Sequence, residues 1–142
     1  IRDAAARVLA EHGGVDILVN NAGIVSGQGL LEISEEKIER TFAINTLALF
    51  WTTRAFLPGM IERNSGHVVT LASAAGIAGT ANLTDYSSSK FAAVGFDDSL
   101  RAEMKRLNKP SATTVVCPYY IDTGMFEGVK TRFPLLLPIL KP

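Results

Sequence analysis

The chain has 142 residues, 47% of them apolar, which suits one domain with a proper core and not two. Fourteen Lys and Arg balance fourteen Asp and Glu, so no basic field exists to attract nucleic acid or an anionic membrane. The single cysteine, Cys117, excludes an internal disulfide and fits a reducing compartment; it lies in an apolar run and reads as a small buried hydrophobe.

Ile1 to His12 reads as a helix already under way, stopped by Gly13-Gly14. No signal peptide opens the chain, and both ends read as cuts from a longer polypeptide. A strand follows at Val15 to Val19, rich in β-branched residues. The next helix is expected from about Glu35 to Arg63, with Ser34 as N-cap and Glu35 and Glu36 in its first turn. Pro58-Gly59 should kink or break it near its end. A second strand is expected at His67 to Ala72. A second long helix runs roughly from Asp85 to Leu107, ended by Pro110, and a third strand spans Ala112 to Cys117. Near-continuous apolar runs predict strands covered on both faces, as in a parallel sheet. The order is a run of βαβ units with right-handed crossovers. The apolar end, Phe133 to Leu140, is far shorter than the roughly 20 residues of a membrane-spanning helix. It reads as packing or a pocket lid.

In such sheets ligands bind outside the carboxyl ends of the strands. Three polar, Gly-rich segments occupy those positions: Asn20-Asn21-Ala22-Gly23, Ser73-Ala74-Ala75-Gly76, and Pro118 through Gly124. Tyr86 and Lys90 are four apart on the second long helix and share a face. A free phenol, with a pKa of about 10, is a poor base at neutral pH, but a neighbouring cation favours the phenolate. The pair is therefore a workable acid/base device, although such spacings also arise by accident. Ser73 ends a strand, and its hydroxyl can donate to a developing alkoxide or carbonyl oxygen; alone, it could equally be a serine capping backbone groups. Asn45 sits in the most apolar part of the first long helix, where asparagine is a weak helix former and a buried amide needs partners. No metal site is expected.

Asn20-Asn21-Ala22-Gly23, Asn45, Ser73, Tyr86-x-x-x-Lys90 and Pro118…Thr123 together resemble the short-chain dehydrogenase/reductase family, in order and in spacing, over nearly the whole chain. The resemblance implies a Rossmann-like doubly wound α/β fold and hydride transfer between NAD or NADP and a small-molecule alcohol or carbonyl. It implies Tyr86 as the catalytic acid/base. Lys90 would bind the nicotinamide ribose and lower the tyrosine pKa. Ser73 would position the substrate oxygen, and Asn45 would hold a water in a proton relay. Asn20, Asn21, Ala22 and Gly23 would support the sheet beside the cofactor, and Pro118, Ile121 and Thr123 would contact its nicotinamide end. It also implies a homo-oligomer formed through the helix carrying Tyr86 and Lys90.

Two features depart from the commonest pattern. Tyr119 follows Pro118 where many members have glycine, and Cys117 to Phe126 looks more like the retinol and hydroxysteroid dehydrogenase branch, which points to a lipophilic substrate. The family's Gly-rich pyrophosphate turn has no counterpart here; Gly27-Gln28-Gly29 lacks the third glycine and the acidic partner and reads as a surface turn. Residues 1–142 are therefore expected to be one partial Rossmann-like domain, the carboxyl-terminal part lacking the N-terminal Gly-rich βαβ region. A cytoplasmic location is expected, with a membrane-associated parent left open. A serine hydrolase is disfavoured: His67 begins the strand that Ser73 ends, about 20 Å away at about 3.3 Å per residue, and no Gly-x-Ser-x-Gly elbow surrounds Ser73. The rival from another class is a catalytically incompetent fragment serving only as an oligomerisation or interaction piece.

Overall fold

The computed structural model describes residues 1–109, 112–119 and 121. Helix α1 (Arg2–His12) ends where Gly13 adopts φ 72° and its N–H returns to the Leu9 carbonyl, a conformation that glycine enters at little cost. Strand β1 (Ile17–Asn20) follows. Helix α2 (Glu35–Phe42) starts under a Ser34 hydroxyl that accepts from the Lys37 N–H, with Glu35 and Glu36 at its positive end. The helix then widens into a π segment, Ala43–Leu47, and continues as α3 (Ala48–Glu62).

Of the kink or break expected at Pro58-Gly59, the break does not occur: Pro58 lies inside α3, which runs on to Glu62. Pro58 and Arg54, whose carbonyl loses its usual N–H partner, both face solvent, so water can satisfy the orphaned group. The irregularity in this long helix is the π segment around Asn45 instead. Strand β2 (His67–Leu71), a 3₁₀ turn at Ala74–Gly76, helix α4 (Thr84–Arg106) and strand β3 (Ala112–Val116) complete the described elements.

The three strands form one parallel sheet in the order β1-β2-β3, with Ile17 opposite His67 and His67 opposite Ala112. Helices α3 and α4 cover one face. Met60, Val68, Leu100 and Met104 are buried there, flanked by Leu18, Phe56 and Phe96; a second cluster joins Leu49, Ala72 and Ala93. Fully buried side chains of the size of Leu, Val or Met each contribute about 1.5–3 kcal/mol. Cys117 is only half-buried, against this second cluster.

The other face departs from the expected two-sided cover. Ile17 is 64% exposed and Val19 54%, because successive side chains of a strand point to opposite faces and α3 and α4 lie on the side of Leu18 and Val68. Among the described residues no helix is long and apolar enough to cross a membrane.

Candidate active site at the carboxyl ends of the strands

Parallel register brings the three strand exits to one edge. Segments 21–23, 72–76 and 117–119, with Ile121, meet there beside the N-terminal turns of α4. The Ala74 N–H donates to the Pro118 carbonyl (2.9 Å), joining the second and third segments.

Ser73 is the N-cap of the 3₁₀ turn. Its Oγ accepts from the Ala75 N–H at 3.1 Å. The capping role and the catalytic role are compatible, because a hydroxyl that accepts through oxygen still has its own proton to give. Tyr86 is 4% exposed. It shares with Ser73 a cavity of about 120 Å³ walled by Ala74, Ala75, Ala78, Leu83 and Pro118, with Thr80 and Tyr119 at its margin.

Lys90 is buried and donates from Nζ to the Leu71 carbonyl at 2.7 Å. Its ammonium lies 5.7 Å from the centroid of the Tyr86 ring. Burial pushes the Lys90 pKa below its ordinary value, opposed by the nearby Cys117. An ammonium has three donors, so the Leu71 bond orients Lys90 without exhausting it. Close approach to this helix is made possible by Gly76, where an added Cβ would lie 2.6 Å from the Lys90 carbonyl oxygen.

Asn45 is buried in the π segment. Its amide closes a two-bond ring with the Ile24 backbone: Ile24 N–H donates to Oδ1 (2.8 Å) and Nδ2 donates to the Ile24 carbonyl (2.9 Å). Nδ2 also reaches the Ser89 Oγ at 3.0 Å, and Ser89 Oγ donates to the Tyr86 carbonyl at 2.7 Å. The loop after β1, the π segment and the first turns of α4 are thereby tied together.

A second cleft of about 200 Å³ runs along the strand ends. It is lined by Asn21, Gly23, Ser73, Tyr86, Lys90 and Ile121, and shares Ser73, Tyr86, Pro118 and Tyr119 with the first cavity. Asn20 and Ala22 do not line it. The Asn20 side chain instead accepts from Thr52 Oγ1 (2.6 Å) and donates to Thr53 Oγ1 (3.3 Å), fastening β1 to α3. Thr123 and the apolar segment from Phe133 to Leu140 lie outside the described residues.

Sequence reading missed three side chains of this network: Ser89, Thr41 and Asp85, all buried. Their signal was polarity on a helix face that should have been apolar. His67, the rival base for Ser73, pairs instead with Thr114 Oγ1 at 2.8 Å. Among the described residues no group of three or more His, Cys, Asp or Glu could hold a metal ion.

Parallel strands ending in a cleft that gathers a serine, a tyrosine and a lysine on the sheet's carboxyl edge define a Rossmann-like α/β protein. The short chain dehydrogenase family model matches residues 1–132, and the chain belongs to that family. It is 54% identical over 141 residues to retinol dehydrogenase 10 of Homo sapiens, covering 97% of this chain and 41% of that protein. It is 53% identical over 137 residues to short-chain dehydrogenase/reductase family 16C member 6 of Bos taurus, covering 96% and 43%. Among solved structures, a short-chain dehydrogenase from Streptomyces avermitilis superposes with a TM-score of 0.81 at 34% identity, over 88% of this chain and 45% of that one. The chain thus spans less than half the length of these relatives.

Proposed function

We propose that this chain carries the catalytic end of an oxidoreductase that moves a hydride between NAD or NADP and an alcohol or carbonyl, with Asn45, Ser73, Tyr86 and Lys90 as its working residues. The observation that carries the reading is Tyr86 and Ser73 sharing one cavity while the Lys90 ammonium lies 5.7 Å from the phenol ring. In oxidation, the Tyr86 phenolate takes the hydroxyl proton of the substrate. Ser73 gives its remaining hydrogen bond to the substrate oxygen and holds it against the phenol. Lys90 stabilises the phenolate by charge. Asn45 fixes the loop at Ile24 and, through Ser89, the turn bearing Tyr86.

The residues of the strand-end cleft fit a nicotinamide and its ribose. Gly23 leaves room where a Cβ would lie 3.4 Å from Lys90 Nζ and 3.5 Å from Asn45 Oδ1, and Asn21, Ile121 and Pro118 line the approach. When bound, the nicotinamide supplies the hydride acceptor. The pyrophosphate cradle is assigned to a Gly-rich βαβ region outside these residues, in keeping with the share of the relatives that the chain spans.

A lipophilic primary or secondary alcohol, retinol-like or steroid-like, is the proposed substrate. The alanine, leucine and proline wall of the cavity and the name retinol dehydrogenase 10 of a similar protein support it. A homo-oligomer through α4 is proposed as well, supported by exposed Phe50 and Phe91 and by an open groove of about 430 Å³ between α3 and α4. That groove also favours the second reading, in which these residues act only as an interaction piece. A cytoplasmic location fits the lone cysteine, and a lipophilic substrate fits a membrane-associated parent; fractionation of cells making the full-length protein decides between them.

Tyr86→Phe in the full-length protein separates the two functional readings, because it deletes one oxygen and keeps the ring. Loss of turnover with an unchanged melting temperature is expected; a near-normal rate with retinol or any other accepted alcohol refutes the mechanism.

A further inference from the structure

Asp85 stands immediately before Tyr86 and is 5% exposed. Its two carboxylate oxygens are each taken by a hydroxyl from a different segment. Ser26 Oγ, in the loop that follows Gly23, donates to Oδ1 at 2.8 Å. Thr41 Oγ1, on α2, donates to Oδ2 at 2.8 Å. None of the ion pairs among the described residues includes Asp85. Among the described residues its side chain is held by two neutral hydroxyls, an expensive way to pack a helix start, where apolar residues of similar volume can hold as well. The positive end of α4 offsets part of that cost.

The geometry around it has a period. Thr41 meets Asp85, and four residues further along each helix Asn45 meets Ser89. These two rungs stand on either side of Tyr86, and Ser89 Oγ also bonds the Tyr86 carbonyl. The first turn of α4 has no side-chain cap of its own: its N-cap is Leu83. The Asp85 rung is one of two side-chain ties that flank the Tyr86 backbone.

We propose that Asp85 is a positioning residue for Tyr86, its bonds to Ser26 and Thr41 setting the height and rotation of the first turn of α4. The inference rests on the reading of Tyr86 as acid/base. Catalysis is sensitive to such placement, since an error near 1 Å can cost about a hundredfold in rate.

The test uses the full-length protein with Asp85→Ala, Asp85→Asn, Thr41→Val and, as control, Tyr86→Phe. Two readouts are taken: the phenol resonance of Tyr86 in protein labelled with isotopic tyrosine, which needs no substrate, and steady-state oxidation of retinol at saturating cofactor. Asp85→Ala should move the Tyr86 resonance and lower kcat by about tenfold or more, with KM within about twofold. Asp85→Asn keeps an oxygen acceptor, and the hydroxyl facing its amide can turn to accept, so it should recover most of the rate. Thr41→Val is close in volume, removes one donor, and should lie between; it decides the matter if Asp85→Ala fails to fold. A Tyr86 resonance unmoved in both Asp85→Ala and Thr41→Val overturns the inference, whether or not the melting temperature falls. An active Tyr86→Phe would instead refute the reading of the site, a result distinguishable because the resonance reports on placement without turnover.

Discussion

Lys90→Met isolates the charge beside Tyr86. Methionine keeps an unbranched chain and removes the ammonium. The ammonium lies 5.7 Å from the Tyr86 ring centroid, and a phenolate spreads part of its charge into that ring. Coulomb's law at an effective dielectric of about 40 to 20 gives roughly 1.5–3 kcal/mol of attraction, or about one to two pH units on the tyrosine ionisation. The ascending, acid-side limb of the oxidation profile, where the phenol must lose its proton, should therefore move to higher pH by about that amount. At a fixed pH below it, the rate should fall by about ten- to a hundredfold. The assay is kcat/KM for alcohol oxidation across pH in the full-length protein, with cofactor held saturating because Lys90 is also proposed to bind the ribose. An unchanged limb in Lys90→Met, whatever the size of the rate, would refute the electrostatic role.

Lys90 also gives a stability test. The unfolded chain keeps its proton up to 10.5, the ordinary value, whereas burial makes the folded protein release it earlier. Between the two the unfolded state binds more protons, so this group's contribution to stability rises with pH there. Any melting-temperature advantage of Lys90→Met should shrink across that window, and a constant or growing advantage contradicts the reasoning. Asn45→Ala should cost up to about 1–3 kcal/mol for each part-buried backbone group left without a partner at Ile24, read by urea denaturation; a change under about 0.5 kcal/mol counts against the amide clamp. Gly76→Ala forces a methyl toward the Lys90 carbonyl, 2.6 Å away, and should destabilise by about 1–3 kcal/mol. It should also lower kcat, because the displaced residue is Lys90; full activity at a lowered melting temperature refutes that link.

Alternation of β-branched runs with long helical segments made the parallel sheet legible: the second and third strands each end one residue short of the expected run, and the first starts two residues late and ends one residue beyond it. Gly13 and Ser34 were legible as helix boundaries because each solves a local backbone problem. Tyr86, Lys90, Ser73 and Asn45 could be singled out because spacing and chemistry coincide. Their geometry could not be read. Asp85, Thr41 and Ser89 have meaning only through contacts forty or more residues away, and no local pattern encodes such a partner. Pro58 misled for the converse reason: its cost depends on whether the orphaned carbonyl can meet water, which is a property of the fold.

The π segment follows from the same network. In a regular α-helix neighbouring residues point about 100° apart, so Asn45 and Thr46 could reach α4 together only from the two edges of one face. Both do: Asn45 Nδ2 reaches Ser89 Oγ at 3.0 Å, and Thr46 Oγ1 donates to the Ser89 carbonyl at 3.3 Å. Widening the helix over Ala43–Leu47 admits one extra residue to that face, while Thr41, a turn earlier, still meets Asp85. Weaker helical geometry is tolerated here because the side chains it redirects satisfy buried polar groups on α4 and in the loop at Ile24, and π-bulges are frequent at functional sites for this kind of reason. The polar face of α4 has the same origin. Asp85, Ser89 and Lys90 are buried in its first turns where Leu100 and Met104 are buried in its last, so one helix serves the site at one end and the core at the other. A substitution that made its first turns apolar could strengthen the packing, yet it would leave Thr41 without its carboxylate partner, Asn45 without the Ser89 hydroxyl and the Tyr86 carbonyl without its side-chain donor.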